Sequence, residues 1–105
     1  MSGRIEIING VINAKLPLEL MKEGDKVIIY THALDICGYG KNAEEAKKDF
    51  DGALNNFFDE TIEHGTLENA LEQLGWKKVI QNTTQYWEPR MEVISTSIEN
   101  FSHAA

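Results

Sequence analysis

Few side chains in this 105-residue chain are of types that do chemistry: three histidines, one cysteine, several close carboxylate pairs and a glycine-rich turn ending in lysine. His32, His64 and His103 are scattered, and Cys37 shares a strand region only with His32. A zinc site needs three or four convergent ligands, usually with pairs at short spacing, so no metal site is expected. A Cys37–His32 nucleophile pair lacks a third group to orient the base. Cys37 is expected to be a small buried hydrophobe instead. His64 falls at the end of a helical pattern, where a protonated imidazole suits the negative end of the helix dipole. The carboxylate pairs Asp49 and Asp51, Asp59 and Glu60, and Glu60 and Glu63 fall mostly opposite the apolar stripe of the same helix. Gly38-Tyr39-Gly40-Lys41 precedes that helix, which invites a phosphate-loop reading. A phosphate loop needs a longer spacing and a Lys-Ser/Thr pair, and Glu44 and Glu45 in the first turn repel an anion. These glycines are expected to turn the chain from sheet into helix. No catalytic residue, metal or cofactor is assigned.

Binding is the better prospect. Tyr86 and Trp87 lie in a polar tail with little local core, and exposed aromatics are common interface anchors. Three readings stay open for them: partner anchor, intramolecular lid, or neither. Trp76 follows Gly75 and is expected to pack back on the short helix before it. The charge is −7 and unevenly spread. Residues 41–75 hold Glu44, Glu45, Asp49, Asp51, Asp59, Glu60, Glu63, Glu68 and Glu72 against Lys41, Lys47 and Lys48, a net of −6. Such a surface repels phosphate backbones, so autonomous DNA binding is not expected. It attracts a basic partner, or it serves only solubility. Asp59, Glu60 and Glu63, with Tyr86 and Trp87, are the candidate partner-binding residues.

The elements that position these residues follow from periodicity. Asn9-Gly10 between Ile5-Ile7-Ile8 and Val11-Ile12 predicts a hairpin, with one strand bent at Gly10 as the competing reading. Leu16, Leu18 and Leu20 alternate with Pro17, Glu19 and Met21, which predicts a strand with one buried face. Lys26 to Leu34 is apolar on both faces, as a central strand should be, and Ile36–Tyr39 completes a meander. Asn42 caps a helix expected over Ala43–His64, with the Glu45 carboxylate reaching back to the Asn42 amide. Ala46, Phe50, Ala53, Leu54 and Phe57 form its buried stripe. Gly52 either lets that helix approach the sheet or is an exposed, neutral glycine. Gly65 ends the helix, and Thr66 caps a second one carrying Leu67, Ala70, Leu71 and Leu74. Lys77–Gln81 is expected as a strand parallel to an earlier one, and Met91–Thr96 as one more.

Length and composition fit one domain, with 42% hydrophobic residues and no apolar run near the ~20 residues that span a bilayer. A single cysteine and the absence of a signal-peptide pattern favour a cytoplasmic location.

The stretch carrying Tyr30, Ala33-Leu34-Asp35-Ile36, Gly38-Tyr39-Gly40-Lys41-Asn42 and Glu44-Glu45-Ala46 resembles the HicB-like antitoxin domain of bacterial toxin–antitoxin pairs. Gly65-Thr66-Leu67 and Leu74-Gly75-Trp76 match as well, so the resemblance covers about half the chain closely and the N-terminal strands loosely. It implies an α+β domain over residues 1–82, in β-β-β-α-β order. An antiparallel meander carries a long helix on one face in a partial ribonuclease H-like arrangement, and a short second helix follows. Residues 83–105 are left as a tail. Because that fold is nuclease-like, a two-metal site has to be considered. The strands offer only Glu6, Glu19 and Asp35, whose neighbours are apolar or turn residues, so no enzyme activity is expected. The implied function is to bind a HicA-like messenger-RNA-cleaving toxin and cover its active surface, within a homo-oligomer. The alternative is an oligomeric HicB-like scaffold without a toxin. Two departures stand out: His32 replaces a common proline, and the 29 residues after Trp76 hold no basic recognition helix. Self-repression at DNA is therefore not expected, nor is a membrane partner.

Overall fold

Tight turns set the architecture. The computed structural model describes residues 3–90, 97–102 and 104. Strands β1 (Arg4–Ile8) and β2 (Val11–Lys15) form a hairpin in which Ile8 faces Val11. Asn9 and Gly10 both take positive φ, 51° and 77°, as a type I′ turn requires. Strands β3 (Glu19–Glu23), β4 (Lys26–Thr31) and β5 (Ile36–Gly40) follow as an antiparallel meander with β4 in the centre. Helix α1 (Ala43–Glu63) packs on β5 and β4, and α2 (Leu67–Gln73) follows it. Strands β6 (Trp76–Gln81) and β7 (Thr84–Pro89) form the last hairpin. The α+β class, the meander under a long helix and the short second helix are all present.

The described residues form two sheets: β3-β4-β5, and a four-stranded one in the order β2-β1-β7-β6. The expectation that β6 runs parallel to an earlier strand is therefore corrected. It pairs antiparallel with β7, because a two-residue turn at Asn82-Thr83 closes a local hairpin before any distant partner is needed. β7 lies between β1 and β6, so the segment read as tail supplies an interior strand. The further strand expected at Met91–Thr96 lies outside the described residues.

Helix α1 joins two apolar clusters. Asn42 caps it by accepting the Glu45 amide at 2.9 Å, as expected, but the Glu45 carboxylate takes the Lys41 amide at 2.8 Å rather than that of Asn42. Ala46, Phe50, Leu54 and Phe58 are four residues apart and form one row. Ala46 and Phe50 pack with Ile29, while Phe58 joins Ile5, Leu67, Leu71, Trp76 and Trp87. Leu54 touches both groups. Phe58 thus takes the buried place expected of Phe57, which is only partly buried and meets the Phe58 ring edge-on at 5.4 Å.

Of the buried face expected for Leu16, Leu18 and Leu20, only Leu16 is partly buried, against the larger cluster, and the other two are corrected. Leu18 and Leu20 are 46% and 65% exposed, because α1 covers β4 and β5 and stops short of β3. A Cβ at Gly52 would meet nothing within 4 Å, so this glycine is the exposed, neutral one.

Candidate functional site

The stretch from Tyr30 to Ala46 has a structural explanation throughout. Tyr30 Oη donates to Asp35 Oδ1 at 2.9 Å across the β4–β5 turn, where Asp35 holds φ at 54°. Ala33 and Leu34 are buried inside that turn, and the Ala33 carbonyl accepts the Trp76 indole N–H at 2.7 Å. Trp76 therefore ties the turn to β6, in addition to packing with Leu71 of α2. Gly38 and Gly40 lie within β5 rather than at a sheet-to-helix bend. A Cβ on Gly38 would stand 2.6 Å from the Ala46 carbonyl oxygen, and one on Gly40 would stand 2.6 Å from Glu45 Cβ. The glycines let α1 lie directly on β5. No anion cradle is formed, because the Lys41 amide is already given to Glu45.

Four of the nine helical carboxylates have internal partners among the described residues. Glu45 and Asp49 accept the Lys41 and Tyr39 amides, both at 2.8 Å. Asp51 pairs with Lys47 at 2.6 Å, and Glu68 with Lys78 at 2.8 Å. Asp59, Glu60 and Glu63 do none of this. All three are exposed, none has an ion pair among the described residues, and the last turn of α1 holds no basic residue. They sit at the negative end of the helix dipole, where each carboxylate is destabilising by a few tenths of a kcal/mol up to about 1 kcal/mol.

The other two candidate residues do not join them. Trp87 is 5% exposed and faces Ile5 across β1, inside the larger cluster. It cannot anchor a partner without unfolding the sheet, so the anchor reading is corrected: the polar sequence around it hid a core position that β7 buries. Tyr86 points to the opposite face of that sheet, with the Arg4 guanidinium 3.8 Å above its ring. That face carries the ion pairs Arg4–Glu6 and Lys77–Glu88.

Chemistry-bearing residues stay dispersed. Glu6 lies on the outer face of the four-stranded sheet, Glu19 on β3 and Asp35 in a turn, so the three do not converge. Among the described residues no three histidines, cysteines or carboxylates are placed to hold a metal. His32 Nδ1 is 3.3 Å from Glu19 Oε1 at the surface. Cys37 is half-buried rather than buried, and its thiol donates to Tyr39 Oη at 3.2 Å. Once the thiol is ionised the phenol O–H donates to the sulfur instead, and that hydrogen bond, then the thiolate charge, raise the Tyr39 phenol above its ordinary range. An open hollow of about 410 Å³ lies between Asp25, Tyr39 and the first turn of α1, and charges of both signs line it. Sequence reasoning missed one buried polar group: Thr31 Oγ1 is fully enclosed without a hydrogen-bond partner among the described residues.

Comparison of the chain with protein-family models, with curated proteins and with solved structures finds no match.

Proposed function

We propose that this chain is a HicB-like antitoxin that binds a small basic, RNA-cleaving toxin and covers its active surface. One observation carries the reading. Three carboxylates, Asp59, Glu60 and Glu63, stand together and unpaired among the described residues at the helix end that disfavours them, whereas Glu45, Asp49, Asp51 and Glu68 are neutralised or hydrogen-bonded. A surface kept at a cost in stability fits a partner that supplies the missing cations. The resemblance of the Tyr30–Ala46 stretch to HicB-like domains supports the same partner class, and the cytoplasm is where such a pair acts.

Co-expression with the product of the neighbouring reading frame tests this. The protein should restore growth to cells making that product, and the two should elute together from a sizing column. Loss of both effects would leave the second reading, a self-associating module without a toxin. That second reading is favoured by one feature, the exposed apolar edge at Leu18, Leu20 and Met21.

A further inference from the structure

The two edges of the β3-β4-β5 sheet are treated differently. On β5, the amides of Tyr39 and Lys41 are taken by Asp49 and Glu45 of α1, so this edge is closed to another strand. On β3 no such cap exists among the described residues, and all five residues are exposed. Leu18, Leu20 and Met21 add three large exposed apolar side chains there. Of the edges of the other sheet, β6 carries Lys77 and Lys78, charges that blunt an edge, and β2 exposes one large apolar residue, Val11.

The hydrogen-bonding phase of β3 follows from its turn. Glu23 faces Lys26 across the two-residue turn Gly24-Asp25, with Gly24 at φ 60° as a type II′ turn requires. Glu23, Met21 and Glu19 therefore exchange bonds with β4, and Leu18, Leu20 and Lys22 direct their backbone groups outward. The β5 edge has the matching phase, since the outward amides there are those of Tyr39 and Lys41. Pro17 lacks an N–H but falls in the inward series, so it does not interrupt the outward one.

We propose that β3 pairs antiparallel with β3 of a second copy of this chain, about a twofold axis at Leu20. Leu20 then faces its own counterpart, Leu18 faces Lys22, and Glu19 faces Met21. All three outward residues bond, and no like charges meet. The competing register, centred on Met21, sets Glu19 opposite Glu23 twice and is excluded by that repulsion. The result is a continuous six-stranded sheet in which both copies of α1 lie on one face. Leu18 and Leu20 of the two copies fill the strip that α1 leaves open on β3. This pairing uses the surface of the scaffold reading and does not depend on a toxin.

The full chain alone tests it. Sedimentation should give a species of twice the single-chain mass, reduced to the single-chain mass by Leu20→Lys, whose melt should stay cooperative and lose its dependence on protein concentration. In a Cys37→Ser background, Leu20→Cys should form an intermolecular disulfide, because hydrogen-bonded pairs place their Cα atoms about 5.5 Å apart. Met21→Cys should not, since its counterparts lie beyond about 7 Å in this register. A monomer at every concentration overturns the proposal, as does a dimer that survives Leu20→Lys or cross-links through Met21→Cys alone. Neither result bears on toxin binding, which co-expression decides.

Discussion

Gly38 of β5 and Phe50 of α1 are in backbone contact: a methyl group at Gly38 would stand 2.6 Å from the Phe50 Cα. The helix rests on the strand without a layer of side chains between them, and its buried row begins from that contact. Gly38→Ala should therefore cost upwards of about 3 kcal/mol, the severe end of overpacking. That is a large part of the roughly 5–15 kcal/mol of a small domain. Gly52→Ala on the open side of the same helix should stabilise by about 0.5–1 kcal/mol. Urea midpoints of the two variants should move in opposite directions.

Phe58 and Trp87, rather than Phe57, hold the larger cluster. Phe58→Ala and Trp87→Ala should each cost about 3–5 kcal/mol, and Phe57→Ala clearly less. Thermal melts of the three variants check the order. A Trp87→Ala protein that melts like wild type would return that residue to the surface.

Thr31 buries a hydroxyl with no partner among the described residues. Thr31→Val keeps the shape and removes the desolvated group, so stability should rise by about 1 kcal/mol. Calorimetry showing a loss of that size would mean that the hydroxyl is hydrogen-bonded in solution.

The Tyr30 phenol titrates above its ordinary value, first because of the hydrogen bond to Asp35 and then through partial desolvation and the nearby carboxylate charge. The folded state favours the neutral phenol. This contribution to stability is present below about pH 10, the unfolded value, and is lost as pH rises through the higher folded value. A difference titration against Tyr30→Phe should place the Tyr30 transition above that of free tyrosine. Asp35→Gly removes the acceptor while permitting positive φ, and should lower the transition.

Local signals were legible where one short stretch determines the geometry. Asn9-Gly10 specified its hairpin, Asn42 its cap, and Gly65 the end of α1. What escaped depended on partners distant in sequence. Trp87 looks exposed because its neighbours are polar, yet alternation in β7 directs it inward onto Ile5, some eighty residues earlier in the chain. Leu18 and Leu20 carry a core pattern, but the helix that would cover them is held over β5 by Gly38 and Gly40. The acidic helix was visible as composition. Its division into carboxylates with internal partners and those without required the contacts of Lys47, Lys78 and the β5 amides.

Asp59, Glu60 and Glu63 form the surface proposed to meet a basic toxin. Stopped-flow association of the purified protein with the neighbouring frame's product, measured across a salt series, tests it. Wild type should associate fast at low salt and slow steeply as salt is added. The Asp59→Asn, Glu60→Gln, Glu63→Gln variant should associate about tenfold or more slowly at low salt, with a flattened salt dependence and a dissociation rate changed much less. Equal association rates and equal salt slopes for the two proteins would contradict the proposed surface.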